Sequence, residues 1–394
     1  MKILKLNVKG LNTFSNGELN IDFYAEKKVL SDEKGSNVAQ LGNNFYTLNT
    51  LSFIGINASG KTTTLNIIQG ILNIYINNES IDKNNKLYNF FEHKLDVIAY
   101  ITDGKLLYKI ESNILKDKIQ EKIWFENEVI YSKKFTKSFK RNDFNEKFDY
   151  ISSINRKKIE DKYLKNEDSI FSGILNQSEK STRLLLDTMS QTNFNYLSIN
   201  NIATEFIEYL DNSIEYISID KNKLKISELL VDIKFKNQSN PIKCDWLELE
   251  RYLSSGTIKG INILSKAVEV LESGGYLIID EIENHLNKRI VISILELFLS
   301  KLNKNGATLI FSTHYVEILD TIERSDSIYV LNKDKEINLN KLSILLGDKD
   351  RSDKKKSDVF LSGRLNTAPD FNHYRAIKKR IRSIVEKGDN QYDH

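Results

Sequence analysis

The apolar positions form two blocks of strand and helix patterns, one near each end of the sequence. In the first block, Ile3 to Val8 and Leu19 to Phe23 read as strands joined across the turn-forming Ser15-Asn16-Gly17, which predicts an antiparallel edge. Leu48 to Ile54 is a continuous apolar run typical of a buried strand, and a helix is predicted from Thr62 to about Leu72. The first block therefore ends in a strand, loop and helix unit.

The second block alternates helices with apolar strands. Helices are predicted at Gly260 to Leu271 and Arg289 to Leu302, and strands at Tyr276 to Ile279, Thr308 to Ser312 and Ser327 to Leu331. Continuous apolar strands that alternate with helices indicate a parallel sheet covered by helices. The predicted fold class is α/β.

The segment between the blocks has another pattern. Apolar residues alternate at 97–102, 106–110 and 123–131, which predicts a small antiparallel β arm. From about Arg141 to Leu230 the spacing is mostly helical, as at Ser181 to Met189, with strand-like pieces such as Tyr216 to Ile219. The predicted domains are a first core part (1–75), the β arm (76–140), a mainly helical insertion (141–244), a second core part (245–345) and a charged tail with a terminal helix (346–394).

Composition narrows the class of protein. A length of 394 residues with 40% hydrophobic content can bury a sizeable core. The 57 basic and 54 acidic residues leave a net charge of only +3, so a nucleic-acid surface would have to be local. Cys244 is the single cysteine, which excludes an internal disulfide and favours a reducing cytoplasm. No apolar run reaches the length of about 18 residues that a membrane span needs.

The sequence Gly55-Ile56-Asn57-Ala58-Ser59-Gly60-Lys61-Thr62 fits the phosphate-loop pattern G-x-x-x-x-G-K-[ST] between a predicted strand and a helix. The glycines let backbone N–H groups face a phosphate, and the helix start adds the positive end of its dipole. Lys61 would contact the β- and γ-phosphates of ATP, and Thr62 would give a hydroxyl to Mg²⁺. The predicted nucleotide-binding residues of this segment are Gly55, Asn57, Ser59, Gly60, Lys61, Thr62 and Thr63.

Two more polar groups follow predicted strands of the second block. Asp280 and Glu281 follow the strand that ends at Ile279, where we expect Asp280 to hold Mg²⁺ and Glu281 to orient and deprotonate a water. His314 follows the strand Thr308 to Ser312 and is predicted to contact the γ-phosphate region. The alternative interpretations are an ordinary acidic strand end and a polar strand cap.

The sequence Leu253-Ser254-Ser255-Gly256-Thr257 precedes a predicted helix, and anions bind at such helix starts. The ordered set GINASGKT, LSSGT, LIIDEIENHLN and STH resembles ABC-type ATPases. It looks most like the soluble heads of the OLD, RecF and SMC groups, which include AAA-type ATPases of phage defence and abortive infection. The resemblance covers residues 1 to 75 and 245 to 335.

In the family that the sequence resembles, two heads enclose two ATP molecules, and the signature of one head completes the site of the other. The resemblance implies a homodimer, or a higher homo-oligomer, in which Ser254 and Gly256 touch the γ-phosphate at the partner's Lys61. It also implies that Glu283 to Leu286 forms the loop that crosses the interface.

The sequence departs from the family pattern at three places. Thr257 stands where transporters usually have Gln or Glu, and Asn287-Lys288 stands where many defence-type relatives have His-Pro. The glutamine that normally contacts Mg²⁺ is not assigned, and the candidates are Gln69, Gln120, Gln177 and Gln191.

The long insertion argues against a simple transporter subunit. The segment Tyr131 to Arg141 interleaves lysines with aromatic residues, which could pair phosphates and stack bases, or could be a solvated strand edge. The same two interpretations, nucleic-acid binding and a solvated surface, apply to the basic segment Arg375 to Arg382. The leading hypothesis is a soluble ATPase that acts as a sensor or regulator in antiphage defence and controls a separate effector. The alternatives are a DNA repair or chromosome-maintenance head and, least favoured, a transporter nucleotide-binding subunit.

Overall fold

The computed structural model describes residues 1–144, 152–159, 163–177, 185–187, 203–219, 230–347, 355–363, 365 and 371–389. In chain order the strands are β1 (Lys2–Leu11), β2 (Glu18–Asp22), β3 (Val38–Gln40), β4 (Tyr46–Leu48), β5 (Thr50–Ile54), β6 (Phe91–Thr102), β7 (Leu106–Asp117), β8 (Lys122–Lys134), β9 (Ser152–Asn155), β10 (Leu185–Asp187), β11 (Ile214–Ile219), β12 (Leu230–Phe235), β13 (Ile242–Asp245), β14 (Tyr276–Ile279), β15 (Thr308–Thr313), β16 (Ile328–Lys333) and β17 (Ile337–Lys341). The helices are α1 (Lys61–Tyr75), α2 (Phe171–Gln177), α3 (Thr204–Leu210), α4 (Ser255–Ser273), α5 (Lys288–Phe298), α6 (Leu342–Leu346), α7 (Lys356–Leu361) and α8 (Phe371–Asp389).

The core is a six-stranded sheet in the order β10-β14-β15-β5-β16-β17, in which only the β16–β17 pair is antiparallel. Its apolar runs are buried on both faces, as a parallel sheet requires. On one face, Ile278 and Ile310 pack with α1 and the amino-terminal strands. On the other, Ile279 and Phe311 pack with α4 and α5. The predicted α/β class with a helix-covered, mainly parallel sheet is confirmed.

The antiparallel strands of the expected β arm do not form a separate unit. β6, β7 and β8 join β1, β2 and β9 in one sheet of order β2-β1-β6-β7-β8-β9. The register pairs Leu6 with Ala99 and Val8 with Val97, so the backbone groups of β1 are satisfied by a strand of the expected arm. The predicted boundary at residue 75 therefore crosses a continuous sheet, and α1 lies between this sheet and the core sheet.

The insertion from 141 to 244 is richer in strands than predicted. Its described part contains β9 to β13 with two seven-residue helices, α2 and α3. β11, β12 and β13 form an antiparallel sheet whose apolar side packs with α3 and α4. We predicted a helix at Ser181 to Met189, but its described residues, Leu185–Asp187, are a strand beside β14. The hydrogen-bonding edge of the core sheet outweighs the helical spacing there.

The ends of the chain agree in part with the expectations. The terminal helix predicted within the tail is present as α8, whose described side chains are exposed except for the half-buried Ser383. The charged stretch 349–356 lies mostly outside the described residues. α7 packs against the core, since Phe360 is buried there and Ser357 donates a hydrogen bond to Asp320. Among the helices that the structure describes, none has the length and apolar character needed to cross a bilayer.

Candidate nucleotide-binding site

The loop between β5 and α1 is shaped by close backbone contacts. Gly60 has φ +100°, a conformation that L side chains rarely adopt, and it precedes the first residue of α1. A side chain at Gly55 would place its Cβ 2.4 Å from the carbonyl oxygen of Leu331. The loop lines an open cleft of about 340 Å³ at the amino end of α1, where the helix dipole favours an anion. The residues that line this cleft are Asn57, Ala58, Ser59, Gly60, Lys61, Thr62, Thr63, Glu281, His314 and Lys333.

The Lys61 ammonium is turned toward the loop itself. Its Nζ donates hydrogen bonds to the carbonyl oxygens of Gly55 at 2.8 Å and Ile56 at 3.0 Å, and lies 3.3 Å from Nδ1 of His314. Desolvation by burial lowers the pKa of Lys61, and the charge of Glu281 acts in the opposite direction. The ammonium is held by neutral acceptors, for which an anionic phosphate would be a stronger substitute.

A pair of hydroxyl groups fixes both oxygens of the Asp280 carboxylate. Thr62 Oγ1 donates to Oδ2 at 2.6 Å, and Ser312 Oγ donates to Oδ1 at 2.5 Å. Carboxylate and hydroxyl oxygens are ligands that Mg²⁺ accepts, so the donor set fits this ion. No group of three His, Cys, Asp or Glu side chains in the described parts of the chain could hold a metal ion. Phosphate oxygens and water are further ligands of the kind that this ion takes.

Glu281 lies beside Asp280 in a left-handed backbone conformation, with φ +47°. Its N–H donates to Ser312 Oγ at 2.7 Å, and its Oε1 lies 3.3 Å from Nε2 of His314. The His314 N–H in turn donates to Glu283 Oε1 at 2.5 Å. His314 thus stands between Lys61 and Glu281, while Ser312 holds both acids. The apolar pattern predicts Ser312 within its strand, but no motif indicates that its hydroxyl contacts both acids.

The signature segment does not contribute to this cleft in the part of the chain that is described. Ser254 is the N-cap of α4, where its Oγ accepts a hydrogen bond from the N–H of Thr257 at 3.0 Å. A side chain at Gly256 would place its Cβ 2.5 Å from the carbonyl oxygen of His285, so the signature packs against the loop after Glu281. Thr257, the departure from the family pattern, is buried with its hydroxyl 2.8 Å from that of Ser254.

The second departure from the family pattern, Asn287-Lys288, also has a local structural reason. Asn287 is the N-cap of α5, and its side chain accepts a hydrogen bond from the Arg289 N–H at 2.9 Å. The loop from Glu283 to Leu286 is expected at a dimer interface. Its first and last residues, Glu283 and Leu286, are buried within the chain. Glu283 gives a carboxylate oxygen to the His314 N–H.

Lys333 is a cleft residue that the sequence analysis missed. It ends β16, which pairs in parallel with β5, and a parallel neighbour ends at the same edge of the sheet as the phosphate loop. The usable signal was a cation at the end of an apolar strand. The candidate glutamines differ in position: Gln69 is buried within α1, Gln120 lies in the β7–β8 turn, Gln177 ends α2, and Gln191 lies outside the described residues.

The base-stacking hypothesis for Tyr131 to Arg141 is wrong for two of its aromatic residues. Phe135 and Phe139 are only 7% and 3% exposed, and both rings pack against Phe45. Lys133 lies over the Phe139 ring and donates to the Asp143 carbonyl. The apolar side of the segment therefore belongs to an aromatic core cluster.

A phosphate loop joined to a carboxylate-bearing strand at the carboxyl edge of a parallel sheet is the arrangement of a P-loop nucleotide-binding domain. The family described as "AAA domain, putative AbiEii toxin, Type IV TA system" matches residues 51–320, and the chain belongs to this family. No curated protein matches the sequence. A similar solved structure is an SMC head bound to the C-winged helix domain of ScpA. Its identity is 13% and its TM-score 0.44, with coverage of 88% of this chain and 99% of that one.

Proposed function

We propose that this protein binds ATP with Mg²⁺ and hydrolyses it to ADP and phosphate. The observation that carries the proposal is the 2.6 Å hydrogen bond from Thr62 to Asp280. It brings the first residue after the loop lysine to the acid of a distant strand, so that one ion could contact both and a nucleotide phosphate as well. The family, whose name denotes an AAA domain, supports the same chemistry.

In the proposed reaction each side chain has one task. Lys61 would exchange its loop carbonyls for the β- and γ-phosphates. Glu281, whose side chain is 41% exposed at the cleft, would orient the attacking water and accept its proton. His314 would contact the γ-phosphate region from its place between Lys61 and Glu281. Bound Mg²⁺ would supply charge stabilisation at the phosphate oxygens.

We infer further that the active assembly is a homodimer in which the sites are shared. Ser254 and Gly256 lie outside their own chain's described cleft, at the start of the 19-residue helix α4. A helix start that carries a serine hydroxyl suits a phosphate presented by a second head.

The biological role that we propose is a sensor or regulator of antiphage defence that controls a separate effector. The family description, which names an AbiEii toxin and a type IV TA system, supports the defence context of this proposal. A DNA-maintenance role loses part of its support, because Phe135 and Phe139 are buried and cannot stack bases. For nucleic-acid binding by that segment, only the positive charge of its lysines remains as an argument.

The first test measures phosphate release by the purified chain with ATP and Mg²⁺. The second measures its molar mass by light scattering, with and without a non-hydrolysable ATP analogue. We expect turnover that is abolished by chelation, and a doubling of mass with the analogue. Absence of nucleotide binding would refute the site, and binding to a persistent monomer would refute the shared dimer. For the role, the gene and its neighbours would be tested for protection against phage with wild-type protein and Glu281→Gln. Equal protection by both would contradict control by ATP turnover.

A further inference from the structure

Helix α4, which begins at the signature, packs between two parts of the chain. Ile258 and Ile261 pack with α3 and β11 to β13, which we call the insertion lobe. Ile263 and Ala267 pack with the core sheet. Leu210 of α3 is packed against both clusters. Because close-packed interiors transmit displacements, a shift of the insertion lobe would move α4 with it.

The contact between the lobe and α4 is close. A side chain at Gly260 would place its Cβ 2.5 Å from the Cδ2 of Leu210, so Leu210 reaches the helix backbone itself. Tyr209, the preceding residue of α3, lies 2.7 Å by its hydroxyl from Ser293 Oγ of α5. The lobe thus contacts both helices on this face of the core sheet.

Two lysines of α4 bond to the edge of the sheet that carries the candidate site. Lys259 Nζ donates to the carbonyl oxygen of Glu281 at 3.2 Å, and Lys266 Nζ donates to that of Asp187 at 2.5 Å. The two lysines are seven residues apart, two helical turns, and so share one face of α4. Asp187 ends β10 and Glu281 follows β14, so both bonds meet the carboxyl ends of neighbouring parallel strands.

Of the two residues that accept a hydrogen bond from these lysines, Glu281 has the left-handed backbone conformation. A left-handed conformation is unfavourable for a non-glycine residue and persists only when its surroundings hold it. Ser312 holds the N–H of Glu281, and Lys259 holds its carbonyl oxygen. Desolvation by burial lowers the pKa of both Lys259 and Lys266. Methionine would fill the same volume without desolvating an amine, so packing alone does not account for lysine at these positions.

We propose that Lys259 and Lys266 are positioning residues that tie α4 to the β14 and β10 ends of its own sheet, so that the position of the insertion lobe sets the geometry of Glu281. The inference rests on the proposed role of Glu281 in hydrolysis. It adds a means of regulation: a partner that shifts the lobe changes turnover without entering the ATP cleft.

The first experiment separates binding from turnover. Lys259→Met and Lys266→Met should each lower kcat by about 10- to 100-fold, because a small misplacement of a catalytic group has effects of that size. KM should change by less than about twofold, because neither lysine lines the described cleft. Lys259→Arg should recover part of the rate, since it keeps a charged donor. Lys301→Met, the loss of an exposed lysine, is the matched control and should match wild type.

The second experiment tests the coupling itself. Leu210→Ala loosens the contact between the lobe and α4 and should lower kcat in the wild-type background. If the lysines carry this effect, Leu210→Ala should have a much smaller effect on kcat in the Lys259→Met, Lys266→Met background. Thermal unfolding of every variant shows whether the fold is retained, and the cycle is evaluated at a temperature where all variants are folded.

The possible outcomes distinguish failure of the positioning role from failure of the proposed ATPase function. No hydrolysis by the wild type would remove the proposed function. Wild-type hydrolysis with unchanged kcat in both lysine variants would overturn the positioning role and leave the ATPase intact. Equal effects of Leu210→Ala in both backgrounds would overturn the coupling. A higher KM with unchanged kcat in the lysine variants would contradict the positioning role, since that result indicates weaker nucleotide binding.

Discussion

Thr62 and Asp280 are joined by a hydrogen bond of 2.6 Å between Oγ1 and Oδ2, although one residue lies in the first turn of α1 and the other follows β14. The bond closes the phosphate loop against the acidic strand end. Thr62→Val keeps the shape but removes the hydroxyl. We expect the Mg²⁺-dependent gain in ATP affinity to fall by about tenfold or more, which corresponds to about 1.4 kcal/mol. Titration of a fluorescent ATP analogue with and without Mg²⁺ measures this gain, and Thr62→Ser is the control that should retain it.

Glu281→Gln removes the carboxylate that we expect to accept a proton from water. Phosphate release should fall by about 100-fold or more, the usual contribution of a general base. ATP binding should persist, because Thr62, Asp280 and Ser312 keep their hydrogen bonds. Glu296→Gln, at an exposed position of α5, should behave as wild type. Turnover near the wild-type rate in Glu281→Gln would show that another group acts as the base.

Two matched substitutions of Ser254 distinguish its role as a helix cap from its proposed contact with a phosphate. Aspartate and asparagine both cap helices well, so Ser254→Asp and Ser254→Asn should keep α4 folded. Only aspartate would repel a phosphate on the opposite head. We expect Ser254→Asp to lose ATP-dependent dimerisation and turnover, and Ser254→Asn to retain most of both.

Mixing variants tests whether the site is shared between chains. A mixture of Ser254→Asp and Lys61→Ala chains should regain some turnover, because mixed dimers would contain one site with neither change. About a quarter of the wild-type rate is expected if dimers form at random and the sites are independent. The two variants are assayed separately and together. Activity in either variant alone, or none in the mixture, would contradict a shared site.

Lys333 lines the cleft at the end of β16 without having been predicted. Lys333→Ala should weaken ATP binding by about threefold to tenfold, the effect of losing one cation near a polyphosphate in a site open to water. The weakening should diminish at high salt, because screening reduces the same attraction. Lys335→Ala, an exposed lysine two residues further along, is the control. Equal affinities of wild type and Lys333→Ala at low salt would exclude a nucleotide contact.

Lys2 gives a prediction about pH. Its Nζ donates to the carbonyls of Gly274 and Gly306, and desolvation lowers its pKa to about 7 from 10.5. Between these values the unfolded chain binds more protons at this group, so its contribution to stability rises with pH from about 7 to 10.5. The free energy of unfolding of wild type relative to Lys2→Met should therefore increase over that range. Chemical denaturation at several pH values measures the difference, and Lys28→Met, at an exposed site, should show no such trend.

The core fold could be predicted because its signals are local. Tyr276 to Ile279 was predicted with the observed bounds, and α1 and α5 began within one residue of the predicted starts. Four consecutive apolar residues before two acids, and a glycine loop before a helix, carry their structure in a few positions. The meeting of Lys61, Asp280 and His314 at one edge followed from parallel pairing.

The remaining features depend on partners that are distant in sequence. β6 pairs with β1, but nothing in the alternation at 97–102 indicates which strand will complete its hydrogen bonds. Leu185–Asp187 becomes a strand because β14 offers an edge. Phe139 interleaves with lysines as a stacking residue would, yet its ring enters a cluster assembled from β-sheet and loop residues. Lys333 had no motif around it, and only the neighbouring position of β5 brings it to the cleft.

The position of β5 has a consequence for how the protein is made. This early strand pairs with β15 on one side and with β16 on the other, both of which come from the last quarter of the sequence. During synthesis β5 and the phosphate loop emerge from the ribosome long before either neighbour exists. A nascent or truncated chain that lacks β15 and β16 has no completed nucleotide pocket. The ATP binding that we propose can therefore stabilise only chains that extend at least through β16, because the pocket is not assembled before that strand is present.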